Sequence, residues 1–291
     1  MTEGIIIKGI GGFYYVKTQE SVYTCKAKGS FRKSSIIPYV GDKVEIRIVD
    51  EDKKEGFIEE IKERKNALIR PPVANIDRMI IISAVAEPEP DATFIDKMIA
   101  ICEFNNIEPV LCFNKIDLKK NEEFIDNYKK IGYKVIKTSA KNNIGTDEVK
   151  DLLTDGITSV AGFSGVGKSS LLSFAVNKKL ETGAVSDKLL RGKHTTRHVE
   201  LFEIEEGKFF ADTPGFSGLF IDMIRKEELA DLFIDFKEYS NLCQFKDCTH
   251  TKEKGCAVIE AVKRGDIIKS RHDNYIEFYD KLKLINDWER K

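Results

Sequence analysis

Residues 158–170 read TSVAGFSGVGKSS, and few folds can accept such a run. Val160 and Ala161 end a buried strand, a glycine-rich turn follows, and a helix starts at Lys168. Gly162-Phe163-Ser164-Gly165-Val166-Gly167-Lys168-Ser169 matches the P-loop pattern in full, with Ser170 next in line. Glycines let backbone N–H groups wrap phosphate oxygens, and the helix N-terminus adds positive potential. In this pattern Lys168 reaches the β- and γ-phosphates and the Ser169 hydroxyl binds Mg²⁺. The plain alternative is a glycine-rich structural corner, against which stand the strand before it and the helix after it. A loop of this kind normally opens its domain, yet here it sits in mid-chain.

The 291 residues suffice for two or three domains with cores of their own. An apolar share of 42% with 33% charged residues suits a soluble globular chain. Lys+Arg (47) nearly equals Asp+Glu (48), so net charge points to no partner and local patches must carry any nucleic-acid signal. No signal-peptide pattern and no membrane-length apolar run is read, so a cytoplasmic protein without membrane contact is expected. Cys25, Cys102 and Cys112 are expected to be buried thiols, whereas the other three cysteines cluster near the C-terminus. That distribution fits a reducing compartment with one metal site better than a disulfide framework.

Residues 1–68 carry short β signals at 13–16, 22–25, 43–48 and 56–61, separated by Gly, Ser, Asp and Lys turns. Several short strands in so short a region suggest a small OB-like β-barrel. Lys26, Lys28, Arg32 and Lys33 surround Phe31 with no acid among them, which suits a phosphate backbone and a stacked base. A solvated hairpin loop explains the same residues equally well.

Residues 69–222 change rhythm after Arg70-Pro71-Pro72, a break in regular structure. Apolar strands at 78–85, 109–113 and 133–138 alternate with helices capped by Asp91 and near 122–130 and 146–153. That alternation predicts an α/β sheet with ligands at the C-terminal strand ends. Asn114-Lys115-Ile116-Asp117 follows one strand and Ser139-Ala140-Lys141 the next. Both look like guanine-recognition elements. A carboxylate at Asp117 can accept from guanine N1–H and the 2-amino group together, and adenine has neither donor. Asn114 can tie this loop to the P-loop, Lys115 can lie along the base, and the Ala140 N–H can donate to O6.

After the P-loop helix comes 191–198, RGKHTTRH. Thr196, rather than Thr195, is expected to be the switch I ligand to Mg²⁺. Lys208 to Ala211 form a strand that ends in Asp212-Thr213-Pro214-Gly215, where Asp212 holds Mg²⁺ through water and the Gly215 N–H senses the γ-phosphate. Phe216 stands where Ras-like enzymes have the glutamine that orients the attacking water. His194 is the candidate to replace it; a solvent-facing or phosphate-pairing histidine is the alternative. The expected catalytic set is therefore Lys168, His194 and Thr196, with slow unaided turnover.

Residues 223–291 contain Cys243, Cys248, His250 and Cys256 in a short loop-rich segment. Three thiols and one imidazole are a tetrahedral set for structural zinc with no open position; buried thiols or one disulfide are the alternatives. Helices are expected at 257–263 and 275–288, the latter with a stripe of Ile276, Tyr279, Leu282, Ile285 and Trp288 docking on its own domain. Lys263, Arg264, Lys269 and Arg271 form either a nucleic-acid-facing or a solvated basic surface.

The motif order is base loops, then P-loop, then switches, a circular permutation of the usual GTPase order. The chain resembles the ribosome small-subunit-associated GTPases of the RsgA/YjeQ family along nearly its whole length. GFSGVGKSS, RGKHTTRHVEL, DTPGF and the cysteine cluster carry that resemblance. It implies a multidomain α/β protein: an OB-like barrel, a circularly permuted P-loop GTPase domain and a small helical zinc domain. It further implies GTP hydrolysis with Mg²⁺, one structural Zn²⁺, and action on the 30S ribosomal subunit and its 16S rRNA late in maturation. Stimulation by that subunit is expected, as is a monomer. Two rivals remain: an RNA-binding scaffold in which guanine nucleotide is a structural ligand, and an ATP-dependent kinase or ATPase.

Overall fold

The computed structural model describes residues 1–29, 31, 36–153, 155–177, 199–212 and 221–286, with the backbone alone for 174–177 and Asp212. The N-terminal chain forms β1 (Thr2–Ile10), β2 (Phe13–Lys17), β3 (Val22–Ala27), β4 (Lys43–Asp50) and β5 (Glu55–Ile61). They run in the order β1-β2-β3-β5-β4, and β4 pairs back onto β1, so the sheet closes into a five-stranded barrel. Alternation decides which faces turn inward: Val16, Tyr23, Cys25, Val44, Ile46 and Ile58 fill the barrel. β1 went unread in the sequence because Ile5-Ile6-Ile7 gives no alternation. Of the three only Ile6 is fully buried, since this strand serves β2, β4 and a strand of the second domain at once.

A hairpin of β6 (Ala67–Ile69) and β7 (Pro72–Ala74) follows, with pairs Ala67↔Ala74, Leu68↔Val73 and Ile69↔Pro72. The Arg70-Pro71 break is thus the turn of a hairpin rather than a linker between domains. Asn66 and Asn75 bind it to both sides: Asn66 Nδ2 donates to Ile76 O (2.8 Å) and Asn75 Nδ2 to Gly41 O (2.9 Å).

Beyond it lie β8 (Ile76–Ala84), β9 (Glu108–Asn114), β10 (Lys134–Lys137), β11 (Gly156–Ala161), β12 (Glu200–Glu205) and β13 (Lys208–Asp212). Their order is β10-β9-β8-β11-β13-β12, parallel except for β12. β8 and β9 are buried on both faces over most of their length, which explains their unbroken apolar runs. Helices α1 (Ala92–Phe104), α2 (Glu122–Ile131), α3 (Thr146–Asp151) and α4 (Lys168–Asn177) complete the layers. Asp91 caps α1 as expected, accepting from Phe94 N at 2.9 Å. β12 meets β1 at Lys8↔Glu200, so barrel and α/β sheet form one continuous eleven-stranded sheet. Ion pairs Lys8–Glu200 and Lys17–Glu203, both 3.1 Å, flank the junction.

The C-terminal region starts with 3₁₀ turns at Leu229–Leu232 and Ile234–Phe236, then α5 (Lys237–Ser240), α6 (Ala257–Arg264) and α7 (Lys269–Lys283). Helix α7 begins earlier and ends sooner than its stripe suggested. Its buried face is Arg271, Tyr275, Phe278 and Leu282, spaced four, three and four residues apart; Ile276, Tyr279 and Ile285 are half-buried, and Trp288 lies outside the described residues. The basic surface drawn through Arg271 is corrected here: Arg271 is 2% exposed, because its guanidinium closes the contact between α7 and α1. Lys263, Arg264 and Lys269 do lie at the surface, paired with Glu260, Asp266 and Asp273. Cys25, Cys102 and Cys112 are buried free thiols. Among the described residues no helix is long and apolar enough to cross a membrane.

Candidate nucleotide site

Parallel pairing brings the C-terminal ends of β9, β10 and β11 to one edge, where the Ser139, Asn114 and Gly162 motifs lie in that spatial order. β8 lies between β9 and β11, so the base loops and the P-loop must reach each other across its end. Asn114 makes that reach. Its Nδ2 donates to Val166 O in the P-loop (2.9 Å), while its Oδ1 accepts from Ala140 N (3.1 Å) and Thr138 Oγ1 (3.2 Å). The side chain is 1% exposed, so every one of these bonds is made away from water, where leaving one unmade is costly. The Ala140 N–H, expected to donate to the guanine O6, is thus engaged with Asn114. Thr138 was passed over in the sequence, although it directly precedes Ser139.

Two glycines show how tightly these loops are fitted. At Gly167 φ is +94°, and a Cβ there would stand 2.2 Å from Asn114 Nδ2. A Cβ at Gly162 would stand 2.4 Å from Ile82 O on β8. Both must be glycine for the loop to lie this close to its neighbours.

Lys168 opens α4 and donates to Gly162 O (2.8 Å) and Phe163 O (2.6 Å). Partial burial holds its ammonium pKa below the ordinary value. Gly165, Val166, Ser164, Ser169 and Ser170 complete the turn and the first helical residues. Phe163 turns its ring onto Phe94 of α1, with ring centroids 4.4 Å apart.

Asp117 lies on a 3₁₀ turn, Ile116–Leu118, that follows Lys115 in a left-handed conformation (φ 65°). Its Oδ1 accepts from Ser139 Oγ at 2.6 Å. That hydroxyl, more than the neighbouring Lys141 and Lys115, holds the carboxyl below the usual Asp range. Lys115 Nζ donates to Glu87 O, and Asn121 Nδ2 donates to Val85 O (2.7 Å) and Glu89 Oε2 (2.8 Å). The segment joining β8 to α1 is therefore laced to the base loop, a contact no local sequence signal announces. His194, Thr195, Thr196, Gly215 and Phe216 lie outside the described residues, and Asp212 ends β13.

A second site lies in the C-terminal region. Cys243, Cys248, His250 and Cys256 bring their ligand atoms within 4.8 Å of one another. Cys243 Sγ is 3.5 Å from His250 Nδ1 and 3.9 Å from Cys256 Sγ, and His250 Nδ1 is 3.4 Å from Cys256 Sγ. A tetrahedral ion with bonds of about 2.3 Å to sulfur and 2.0 Å to nitrogen requires edges near these lengths. Backbone N–H groups of Ala257 and Ile259 point at Cys243 Sγ (3.3 Å) and Cys256 Sγ (3.5 Å), as suits thiolates. The donor set and its spacing fit zinc.

Of the residues expected to face RNA, Lys28 pairs with Glu59 (2.8 Å), Phe31 is half-buried against the barrel core, and Arg32 and Lys33 lie outside the described residues. Lys26 stands over the ring of Phe13, 5.1 Å from its centroid; Phe13 is 41% exposed and was not singled out from the sequence.

A sequence profile of the RsgA GTPase family matches residues 61–222, and one of the RsgA N-terminal domain matches residues 3–58. The small ribosomal subunit biogenesis GTPase RsgA of Caldanaerobacter subterraneus subsp. tengcongensis is 48% identical over 285 residues, 97% of this chain and 96% of its own. The protein of the same name from Alkaliphilus metalliredigens is 45% identical over 287 residues, 97% of this chain and 98% of its own. The crystal structure of YloQ, a circularly permuted GTPase, superposes with a TM-score of 0.80 at 37% identity, covering 97% of this chain and 95% of its own. That of YjeQ from Thermotoga maritima gives 0.81 at 35% identity over 98% and 99%.

Proposed function

The chain belongs to the RsgA GTPase family, and from that membership we propose how it works as a GTP hydrolase in biogenesis of the small ribosomal subunit. The observation that carries the reading is the Asn114 side chain, bonded at once to the P-loop and to the base loop. A nucleotide bridging the two meets guanine-selective and phosphate-selective groups that are already held at a fixed spacing.

Asp117 accepts from guanine N1–H and the 2-amino group, with Ser139 holding its carboxylate; Lys115, Ala140 and Lys141 line the base. Gly162 to Ser170 wrap the phosphates. Lys168, oriented by the Gly162 and Phe163 carbonyls, neutralises charge that develops between the β- and γ-phosphates. Ser169, Thr196 and Asp212 hold the Mg²⁺ that enters with GTP. The Gly215 N–H reads the γ-phosphate, and His194 orients the attacking water in place of the missing glutamine. Turnover is slow alone and rises on the 30S subunit, where the barrel, residues 1–68, contacts 16S rRNA. Cys243, Cys248, His250 and Cys256 hold one structural Zn²⁺, which supplies cross-linking rather than catalysis because no coordination position is open. The three working units are 1–68, 69–222 and 223–291, in a monomeric cytoplasmic protein.

Phosphate release from GTP, with and without purified 30S subunits, tests this directly. Release above a Lys168→Ala control, increased by subunits, is the expected result; no release above that control in either condition returns the scaffold reading. Asp117→Asn is expected to weaken GTP on the order of a hundredfold and to improve xanthine nucleotides, since charged hydrogen bonds contribute about 1.5–3 kcal/mol each. Competition binding with GDP, ADP and xanthosine diphosphate measures it, and an adenine preference in the unmodified protein supports the kinase rival.

A further inference from the structure

The first turn of α1 faces two partners at once. Phe94 lays its ring on Phe163, the second residue of the phosphate loop, with centroids 4.4 Å apart and planes tilted by 40°. Phe163 is also the residue whose carbonyl accepts from Lys168 at 2.6 Å. Its ring is 38% exposed, whereas Phe94 is 5% exposed, so Phe94 is the fixed member of the pair. Two residues on, Asp96 is fully buried and points the other way. It accepts from Arg271 Nη1 (2.6 Å) and Asn274 Nδ2 (2.7 Å), both on α7, and from Tyr128 OH (3.0 Å). Thr93 Oγ1 donates to Asn274 Oδ1 at 2.9 Å. Thr93, Phe94 and Asp96 therefore share one helical turn, and any shift of that turn moves the phosphate loop and the C-terminal domain together.

We propose that Phe94 is a positioning residue for the phosphate loop, acting through Phe163, and that the Asn274–Asp96–Thr93 contacts of the C-terminal helix set where Phe94 stands. The physical basis is that packed interfaces and buried hydrogen-bond networks deform little, so a displacement at one end of a short rigid turn reaches the other. The route runs through α1. The consequence is specific to phosphate. The ring contact fixes the loop that cradles the β-phosphate and orients Lys168; it touches none of the groups that read the base. The proposal rests on the guanine-nucleotide reading of the site.

The test is the ratio of GDP to GMP affinity, measured by competition against a fluorescent guanine nucleotide on the full-length zinc-loaded protein. Phe94→Ala is expected to weaken GDP about three- to tenfold, the range an aromatic pair contributes, while leaving GMP affinity unchanged. Phe94→Leu, which keeps most of the volume, gives the same direction with a smaller change and decides the matter if the alanine variant does not fold. Asn274→Ala is expected to lower the ratio two- to threefold on the order of the loss of one modest hydrogen-bond contact, and to add nothing in the Phe94→Leu background. An unchanged ratio in Phe94→Leu, or an Asn274→Ala effect of equal size in both backgrounds, overturns the proposal. A general loss of fold weakens GDP and GMP alike and counts against it too. Failure of the unmodified protein to prefer guanine nucleotides is a different result, and it overturns the underlying reading instead.

Discussion

In the proposed guanine site, Asp117 and Ser139 form the smallest unit, joined by one hydrogen bond. A carboxylate accepts from two guanine donors only while ionised, so binding through Asp117 is complete above its pKa and is lost as pH falls through it. The Ser139 hydroxyl favours the ionised form and lowers that pKa, which carries binding to more acid conditions than an ordinary aspartate allows. Ser139→Ala is expected to raise the pKa and move the acid limb of GDP binding to higher pH. Affinity measured from neutral pH down to about pH 3 checks this, against an unperturbed Asp pKa near 3.9, with folding followed in parallel. An unmoved limb counts against the role given to Ser139. The pair was legible as two motifs, NKID and SAK. Their mutual bond was not, because Asp117 and Ser139 are on different strand ends and meet only through parallel pairing of β9 and β10.

At the scale of elements, the strands and helices that follow simple periodicity lie where alternation and capping put them. Lys43–Asp50 alternates and is a strand; Asp91 caps α1; α4 starts at Lys168. Among the elements that escaped are the short β6 and β7, hidden by the prolines at their turn, and β1 and β12, whose faces are divided among partners from two domains and so show no clean period. The loop that carries the Cys₃His cluster has a different logic. Residues 243–256 contain one helix cap, Cys256, and few buried apolar groups, so its shape depends on what joins the four ligands. Glu253 supports it, accepting from the Thr249 hydroxyl and from the N–H groups of Thr249, Thr251 and Lys252 (each 3.0 Å); against burial, the Thr249 hydroxyl first and then the Lys252 and Thr249 N–H groups hold its carboxyl at about 2. Removal of zinc by a strong chelator is expected to release one ion per chain. It should loosen the loop and α6, seen as lost helical circular dichroism, while the eleven-stranded sheet persists. Retention of full helicity without metal argues against a structural zinc.

Across the whole molecule, one buried cluster of charge joins the C-terminal domain to the nucleotide-binding domain. Arg271 is held between Asp96 (2.6 Å) and Asp235 (2.9 Å), with its guanidinium over Phe233 and Tyr133. Burial opposes its charge, and the two carboxylates more than restore it. Asp235 Oδ2 is the one buried side-chain atom without a hydrogen-bond partner among the described residues, so the cluster already has more acceptors than donors and no donor to lose. Arg271→Met is expected to cost about 3–5 kcal/mol, because two carboxylates are then left buried without their counter-charge. Adding Asp96→Asn recovers part of it. Denaturant unfolding of both variants measures the difference, and a loss below about 1 kcal/mol, as for surface pairs, contradicts the buried clamp. Deleting residues 223–291 strips Asp96 of Arg271 and Asn274 in the same way, so such a truncation perturbs α1 as well as removing the zinc domain.

The candidate chemistry is legible in short runs of residues. A full P-loop, two base motifs and a Cys₃His set are local patterns, and local backbone geometry is enough to make each of them meaningful. Their permuted order is likewise written in the chain. Tertiary structure alone decided which of these parts touch: that Asn114 spans the end of β8 to reach Val166, that the mid-chain phosphate loop leans on Phe94, and that Arg271, one basic residue among several near the C-terminus, is the buried centre of a domain contact. Arg271 and Asp96 are 175 residues apart, and no periodicity or spacing links them. Their meeting is fixed by how two packed surfaces come together, which depends on the summed burial of many side chains rather than on any short run of residues.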